Sequence, residues 1–443
     1  MKINNSAALS FKGGIHPSGD GKNLSSAKAI ESAPIFERYF VLLGQNAGKA
    51  PEAVVAKGDA VKKYQLIAKA SGFVSANLHA PTSGTVAGVT TVPGPMGVPA
   101  LAIEIVSDGL DEAVEPLSAI EWQKADNKVL LDRVAECGLV GMGGASFPTH
   151  VKLSPPPDKA IDTLIFNGAE CEPYLTADHR LMIEYTDSVL EGAAIVGKIL
   201  GVSNIFIGVE INKADAISEL QKLADKYGIK IVPLKVRYPQ GSEKQLINSI
   251  TGREVRSGGL PMDAGCVVQN VGTAKAVYDA VVKGLPLVER VVTVTGEVVA
   301  EPGNWLVRIG TPVIKVIELA KGVTANPGKL ILGGPMMGFA QKSFDVPVSK
   351  NTSGILLLSK EVAVNYGSGS CIRCGRCVSA CPMHLVPCLL GCAIEGERYD
   401  LAAANHVMDC LECGACAYIC PAHRPLIQHM RRAKAEIRRR NAK

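Results

Sequence analysis

Aromatic residues make up only 5% of the sequence, and the excess of positive charge is a modest +5 over 443 residues. That pairing gives no case for a nucleic-acid binder, which needs a basic face interleaved with stacking rings. No apolar run approaches the ~20 residues of a membrane-spanning helix. The opening MKINNSAALSFKGG lacks the apolar core of a secretion signal. The expectation is a cytoplasmic chain whose links to any membrane run through partners. Cysteine is scarce too, but only at first: of 13 cysteines, three precede residue 371 and the rest follow. Crowded thiols without a secretion signal point to metal rather than to disulfides.

What is present divides the chain, which at this length holds about two to four domains. Residues 1–34 are rich in Gly, Ser and Lys without periodicity and read as an extended arm. Residues 35–110 carry short apolar stretches broken by turn signals, such as VVAKGDAVKKYQLIAKASG and HAPTSGTVAGV, the pattern of an all-β module. Their wording resembles the biotinyl/lipoyl-type barrel sandwich. The tip near AKASGFVS lacks the Met-Lys pair of a carrier, so the expected use is structural. From 126 to 288, apolar runs (DTLIFNGAE, NIFIGVEI, IKIVPLKV) alternate with helical patterns, which implies an α/β domain with a largely parallel sheet. Residues 289–345 combine period-2 alternation, a Pro-Gly turn and a short helix, a β-grasp-like unit. Residues 361–443 are cysteine-rich and helical. A basic run, RRAKAEIRRR from Arg431 to Arg440, reads as a helix end suited to its dipole or as a dock for an acidic partner or anionic membrane.

The cysteine-rich part holds two C-x2-C-x2-C-x3-C-P runs, CIRCGRCVSACP and CLECGACAYICP. In each, the first three thiols suit one face of a cubane, and the fourth, before proline, ligates the other cluster. The expected ligands are therefore Cys371, Cys374, Cys377 and Cys420 for one [4Fe–4S] cluster, and Cys410, Cys413, Cys416 and Cys381 for the other. A zinc site would need two C-x2-C pairs and no further Cys-Pro. Cys388 and Cys392, four apart on one helix face, could be ligands but are expected to be buried as small apolar residues, and His384, His423 and His429 to be surface or supporting residues. Clusters pass single electrons whereas a nicotinamide gives two, so a chain joining them needs a flavin.

Two stretches upstream suit one. In GLVGMGGASFPTHVKL, Gly141, Gly143 and Gly144 precede Phe147, and a glycine loop lets backbone N–H groups approach a phosphate or flat ring; a plain tight turn has the same look. Lys152 could neutralise phosphate charge. FNGAECEPYLTADHR follows the apolar run DTLIF and so falls at the carboxyl end of a parallel strand, where α/β sheets bind ligands. Glu170 and Glu172 there could hold ribose or ring N–H groups, or be ordinary loop carboxylates.

GMGGASFPTHVK followed by NGAECEP resembles the flavin-binding, NADH-oxidising subunit of respiratory complex I, and the likeness continues through YPQGSEKQLINSITG and VVQNVGTA. It implies FMN contacts at Gly141, Gly143, Lys152, Asn167, Glu170, Tyr238, Gly241, Glu243, Gln269, Asn270 and Thr273. NADH would stack on Phe147, with Glu172 and Glu243 near. Ala169, Met142 and Pro155 depart from that family's pattern, in which an Asp, an Arg and an aromatic are expected, and Cys171 between the glutamates reads as packing. The full module order, with FKGGIHP in front and doubled cysteine runs behind, resembles the RnfC component of Rnf-type ion-translocating electron-transport complexes.

That resemblance implies a multidomain α/β protein: barrel sandwich, complex I-like flavin domain, SLBB-like β-grasp unit, and ferredoxin-like helical domain. It implies a peripheral subunit on the cytoplasmic side of the inner membrane, with FMN and two [4Fe–4S] clusters as cofactors and NADH as substrate. The implied partners are the other membrane and peripheral subunits and, indirectly, a ferredoxin-like carrier. No side chain is expected to act as a catalytic acid or base. Rival readings are a soluble cobalamin reductase, which orders these modules differently, and a flavin-free iron–sulfur adapter.

Overall fold

In the computed structural model, which describes residues 8–363 and 367–441, the alternation over 126–288 folds as one all-parallel sheet. Its order is Ile229–Leu234, Asn204–Glu210, Thr163–Asn167, Cys266–Asn270. Side chains alternate between its faces, as strand geometry requires. Leu164 and Phe166 face a core built with the helices Thr186–Leu200 and Val271–Val282, whereas Ile165 joins Leu246 and Ile247 of helix Glu243–Thr251 on the other side. Gly192 is what lets the first two helices cross closely, because a Cβ there would run into the Ala274 carbonyl.

The barrel sandwich pairs a four-stranded sheet with a three-stranded one around Val41, Ile67, Leu78, Ile103 and Ile105. Its tip reaches the flavin domain: Phe73 packs edge-on to His150, with ring centroids 6.5 Å apart, and the Ala47 amide donates to the Ser146 carbonyl at 3.1 Å.

The β-grasp unit expected over 289–345 is completed by strands from outside those bounds. Gly354–Leu358, the stretch GILLL, lies inside its six-stranded sheet between Glu289–Thr295 and Lys329–Leu332, and Ile30–Ser32 of the arm adds an edge strand beside Gly303–Arg308. The first seven residues of the arm lie outside the described residues. From residue 8 on it is packed rather than free: Phe11, Ile15 and Lys22 are buried, and Ile15 exchanges backbone bonds of 2.8 Å with Tyr238.

The cysteine-rich domain repeats one backbone turn. Gly375 and Gly414 both adopt left-handed φ, at 73° and 82°, and each opens a short helix, Arg376–Ala380 or Ala415–Tyr418. Helices Pro387–Glu395, Tyr399–Ala404 and Leu426–Asn441 enclose them. Among the described residues no helix is long and apolar enough to cross a membrane.

Candidate functional site

The carboxyl edge of the parallel sheet gathers the flavin-domain residues. Asn167 and Asn270 end neighbouring strands in register. The Asn167 amide donates to the Gly241 carbonyl at 2.7 Å, and its oxygen accepts from the Ala169 amide. Asn270 caps helix Val271–Val282 by accepting from Gly272 N at 2.7 Å, and its amide donates to Asp178 at 2.7 Å. The glycine loop lies on top. Gly143 closes so tightly on Asn270 that a Cβ would stand 2.8 Å from its amide nitrogen, and Met142 N donates to Thr273 Oγ1 at 3.1 Å. Phe147 keeps a partly exposed ring, and Lys152 is ion-paired with Glu243.

Ser146 Oγ of the glycine loop and Gln269 Nε2, one residue from the end of its strand, are buried without a protein partner. Buried polar atoms in folded proteins are nearly always satisfied, so orphans on a glycine loop and at a strand's carboxyl end fit a polar ligand such as FMN.

The two glutamates are already engaged by backbone. Glu170, at φ 44°, accepts from the amides of Asp178 (2.7 Å) and His179 (3.2 Å) at the start of helix Ala177–Glu184. Glu172 accepts from Met336 and Met337 amides at 3.1 and 2.8 Å, tying this loop to the β-grasp unit. Burial pushes the Glu172 carboxyl up to about 7, against the pull of those two amides. Burial, reinforced by the Glu170 charge, takes Asp178 to about 6. Burial also raises the Cys171 thiol far above its ordinary range; the thiol accepts from the Gly241 amide at 3.3 Å, which suits a packing role.

Sequence reasoning missed Lys22. Its ammonium enters from the arm and donates to the carbonyls of Glu170 (2.9 Å), Glu172 (2.9 Å) and Leu175 (2.5 Å), so it clamps the NGAECEP loop. It missed Arg290 as well, a buried cation donating to the carbonyls of Lys350 (2.6 Å) and Met142 (3.3 Å). Neither carried a motif, since each belongs to a segment distant from the loop it supports.

Tyr238 is 1% exposed and reaches the cysteine domain, donating to the Cys413 carbonyl at 2.6 Å. Nearby, Gln245 donates to the Pro382 carbonyl at 3.0 Å. The eight cysteines line two cavities. One holds Cys381, Cys410, Cys413 and Cys416; the other holds Cys371, Cys374, Cys377 and Cys420. Each cavity thus joins three thiols of one run to the fourth of the other. Among the described residues no three His, Cys, Asp or Glu side chains gather around a point for one metal ion; a cubane, with irons at separate corners, needs its thiolates farther apart. Cys388 lines the second cavity, and Cys392 is exposed, which corrects the expectation that both are buried: its helix turns that position outward. The basic run of helix Leu426–Asn441 is largely paired within the chain, to Glu412, Glu397 and Glu436.

Family models match in the same order as these modules: an RnfC barrel sandwich hybrid domain over 9–110, a Nuo51 FMN-binding domain over 134–279, an SLBB domain over 291–340 and a 4Fe-4S dicluster domain over 363–421. The chain is 50% identical over 431 residues to the RnfC-type component of a proton-translocating ferredoxin:NAD(+) oxidoreductase complex from Clostridium ljungdahlii, covering 97% of this chain and 94% of that one. It is 45% identical to the corresponding component of the Na(+)-translocating ferredoxin:NAD(+) oxidoreductase complex of Acetobacterium woodii, covering 96% and 97%. The chain belongs to this RnfC family. A chain of an NAD+-reducing [NiFe]-hydrogenase shares the fold, with a TM-score of 0.52 at 18% identity over 73% of this chain and 68% of that one. In this chain the barrel sandwich match comes before the FMN-binding match and the dicluster match comes after it. Its FMN-binding and dicluster domains make FMN and [4Fe–4S] clusters the cofactors of this chain.

Proposed function

We propose that this chain passes electrons between NADH and a ferredoxin-level carrier, as a peripheral, cytoplasmic-side subunit of a membrane-bound ion-translocating complex. Its partners are the other membrane and peripheral subunits, with the carrier reached through them. FMN lies against Gly141, Gly143, Lys152, Asn167, Glu170, Tyr238, Gly241, Glu243, Gln269, Asn270 and Thr273, and NADH against Phe147 near Glu172 and Glu243. One cluster is held by Cys371, Cys374, Cys377 and Cys420, the other by Cys381, Cys410, Cys413 and Cys416. When bound, these groups supply the exchange between a hydride's electron pair and single electrons.

The chain's own contribution is positional. Gly143 allows the loop backbone to close on Asn270, Lys152 is oriented by Glu243, and the exposed face of Phe147 offers a stacking surface. No general base is required, because hydride transfer depends on the placement of two rings. The observation that supports this reading best is the hydrogen bond from Tyr238, a residue of the YPQG loop, to the Cys413 carbonyl: the two cofactor regions meet through one side chain.

Cofactor content tests it. Protein purified without oxygen should contain one FMN and about eight irons, the content of two cubanes. Full iron without flavin would instead favour the adapter, with hydride chemistry placed elsewhere in the complex.

A further inference from the structure

The two thiol cavities have opposite linings. Around Cys381, Cys410, Cys413 and Cys416 every other lining residue is apolar, including Leu385, Leu390, Leu411, Ile427 and Met430. Three of these four cysteines are buried and Cys410 is partly so. The cavity of Cys371, Cys374, Cys377 and Cys420 is lined also by Arg373, Arg424 and the fifth thiol, Cys388. Here Cys374 is exposed, and only Cys377 is buried. Arg424 is only 8% exposed. Its ion-pair partner, Glu395, has a side chain 46% exposed and therefore screened by water. Cys388 packs against Cys377.

A [4Fe–4S] cluster with four thiolates is an anion in both working states and gains a further negative charge on reduction. An apolar, water-poor pocket disfavours that added charge, whereas a neighbouring cation, a thiol donor and solvent exposure all favour it. Solvent exposure and the Cys388 thiol act in one direction; the cations offset each other in part, because the buried Lys434 ammonium, paired with Glu412, donates to the Cys410 carbonyl at 2.6 Å beside the apolar cavity. We infer that the cluster at Cys371, Cys374, Cys377 and Cys420 has the higher reduction potential of the two, and that Arg424 is a positioning residue that raises it. This rests on the dicluster reading above. Tyr238 touches the other cysteine set, at Cys413, so an electron leaving the flavin side meets the lower-potential centre first. The buried cluster is then the gate on that passage.

The test is a redox titration of the full chain followed by EPR, with iron content measured on the same samples. Fewer than two clusters by iron and EPR would fail the dicluster reading itself, before any midpoint is read. With two clusters present, wild type should give two separate midpoints. In Cys374→Ala the cubane signal that survives should be the lower one. Arg424→Gln should move only the higher midpoint, downward, and Arg424→Lys should restore most of the shift. If Arg424→Gln loses iron, the wild-type and Cys374→Ala midpoints still decide the order of potentials, and Cys388→Ala, which should also lower only the higher midpoint, decides whether the lining sets it. Coincident midpoints, survival of the higher one in Cys374→Ala, or a shift of both or neither in the lining variants would overturn the inference.

Discussion

Glu172 accepts two backbone amides from Met336 and Met337 in a site enclosed enough to hold its carboxyl near 7. The folded-state value lies above the unfolded one, so folding favours the protonated form. Stability should fall as pH rises from about 4.5 to about 7 and then level off, by at most about 3 kcal/mol. Glu172→Gln keeps the shape and removes the ionisation, so the urea midpoint of the variant should lose that slope. An equal slope in wild type and variant would assign the titration to another group. The positions of Glu170 and Glu172 were legible from their place after DTLIF, but their partners were not. Glu170 is bound by its own downstream helix and Glu172 by a segment of the β-grasp unit far along the chain. Lys22, which holds both of their carbonyls, looked like one more polar residue of an arm.

At the level of elements, the helices Thr186–Leu200 and Val271–Val282 meet at Gly192, and the second of them starts at Asn270 and carries Thr273. Gly192→Ala has nowhere to put its methyl except against the Ala274 carbonyl, and such overpacking costs typically about 1–3 kcal/mol. The variant should unfold at a lower temperature and release FMN more readily, measured as the rise of free-flavin fluorescence on heating. Unchanged stability would mean that the helices slide apart at no cost. Strand and helix periodicity was enough to read the parallel sheet, because its strands follow one another at short intervals. It was not enough for Gly354–Leu358, an apolar run left outside the expected β-grasp unit because its neighbours lie elsewhere along the chain. Those are Glu289–Thr295 and Lys329–Leu332, and the pairing is set by how the β-grasp sheet closes.

Across the whole molecule, the arm, flavin domain and cysteine domain are stitched together at one place: Ile15 on Tyr238, Tyr238 on Cys413, Gly14 on Ala380. The cysteine spacing made the two clusters legible, and the cavities group the thiols crosswise between the runs. Replacing Cys371 or Cys420 by alanine should accordingly remove the same EPR signal and about half of the iron; loss of different signals would contradict that grouping. The basic tail was legible as a helix end but not as one that pairs its charges within its own domain, since Glu397 and Glu412 reach it only after folding. The central claim is that NADH, flavin and clusters are joined within this single chain. An anaerobic NADH titration of the purified protein, followed by visible absorption and EPR, tests it most directly. Bleaching of the flavin band followed by reduced-cluster signals is the expected result; a protein with intact clusters and bound flavin that shows no response to NADH would contradict it.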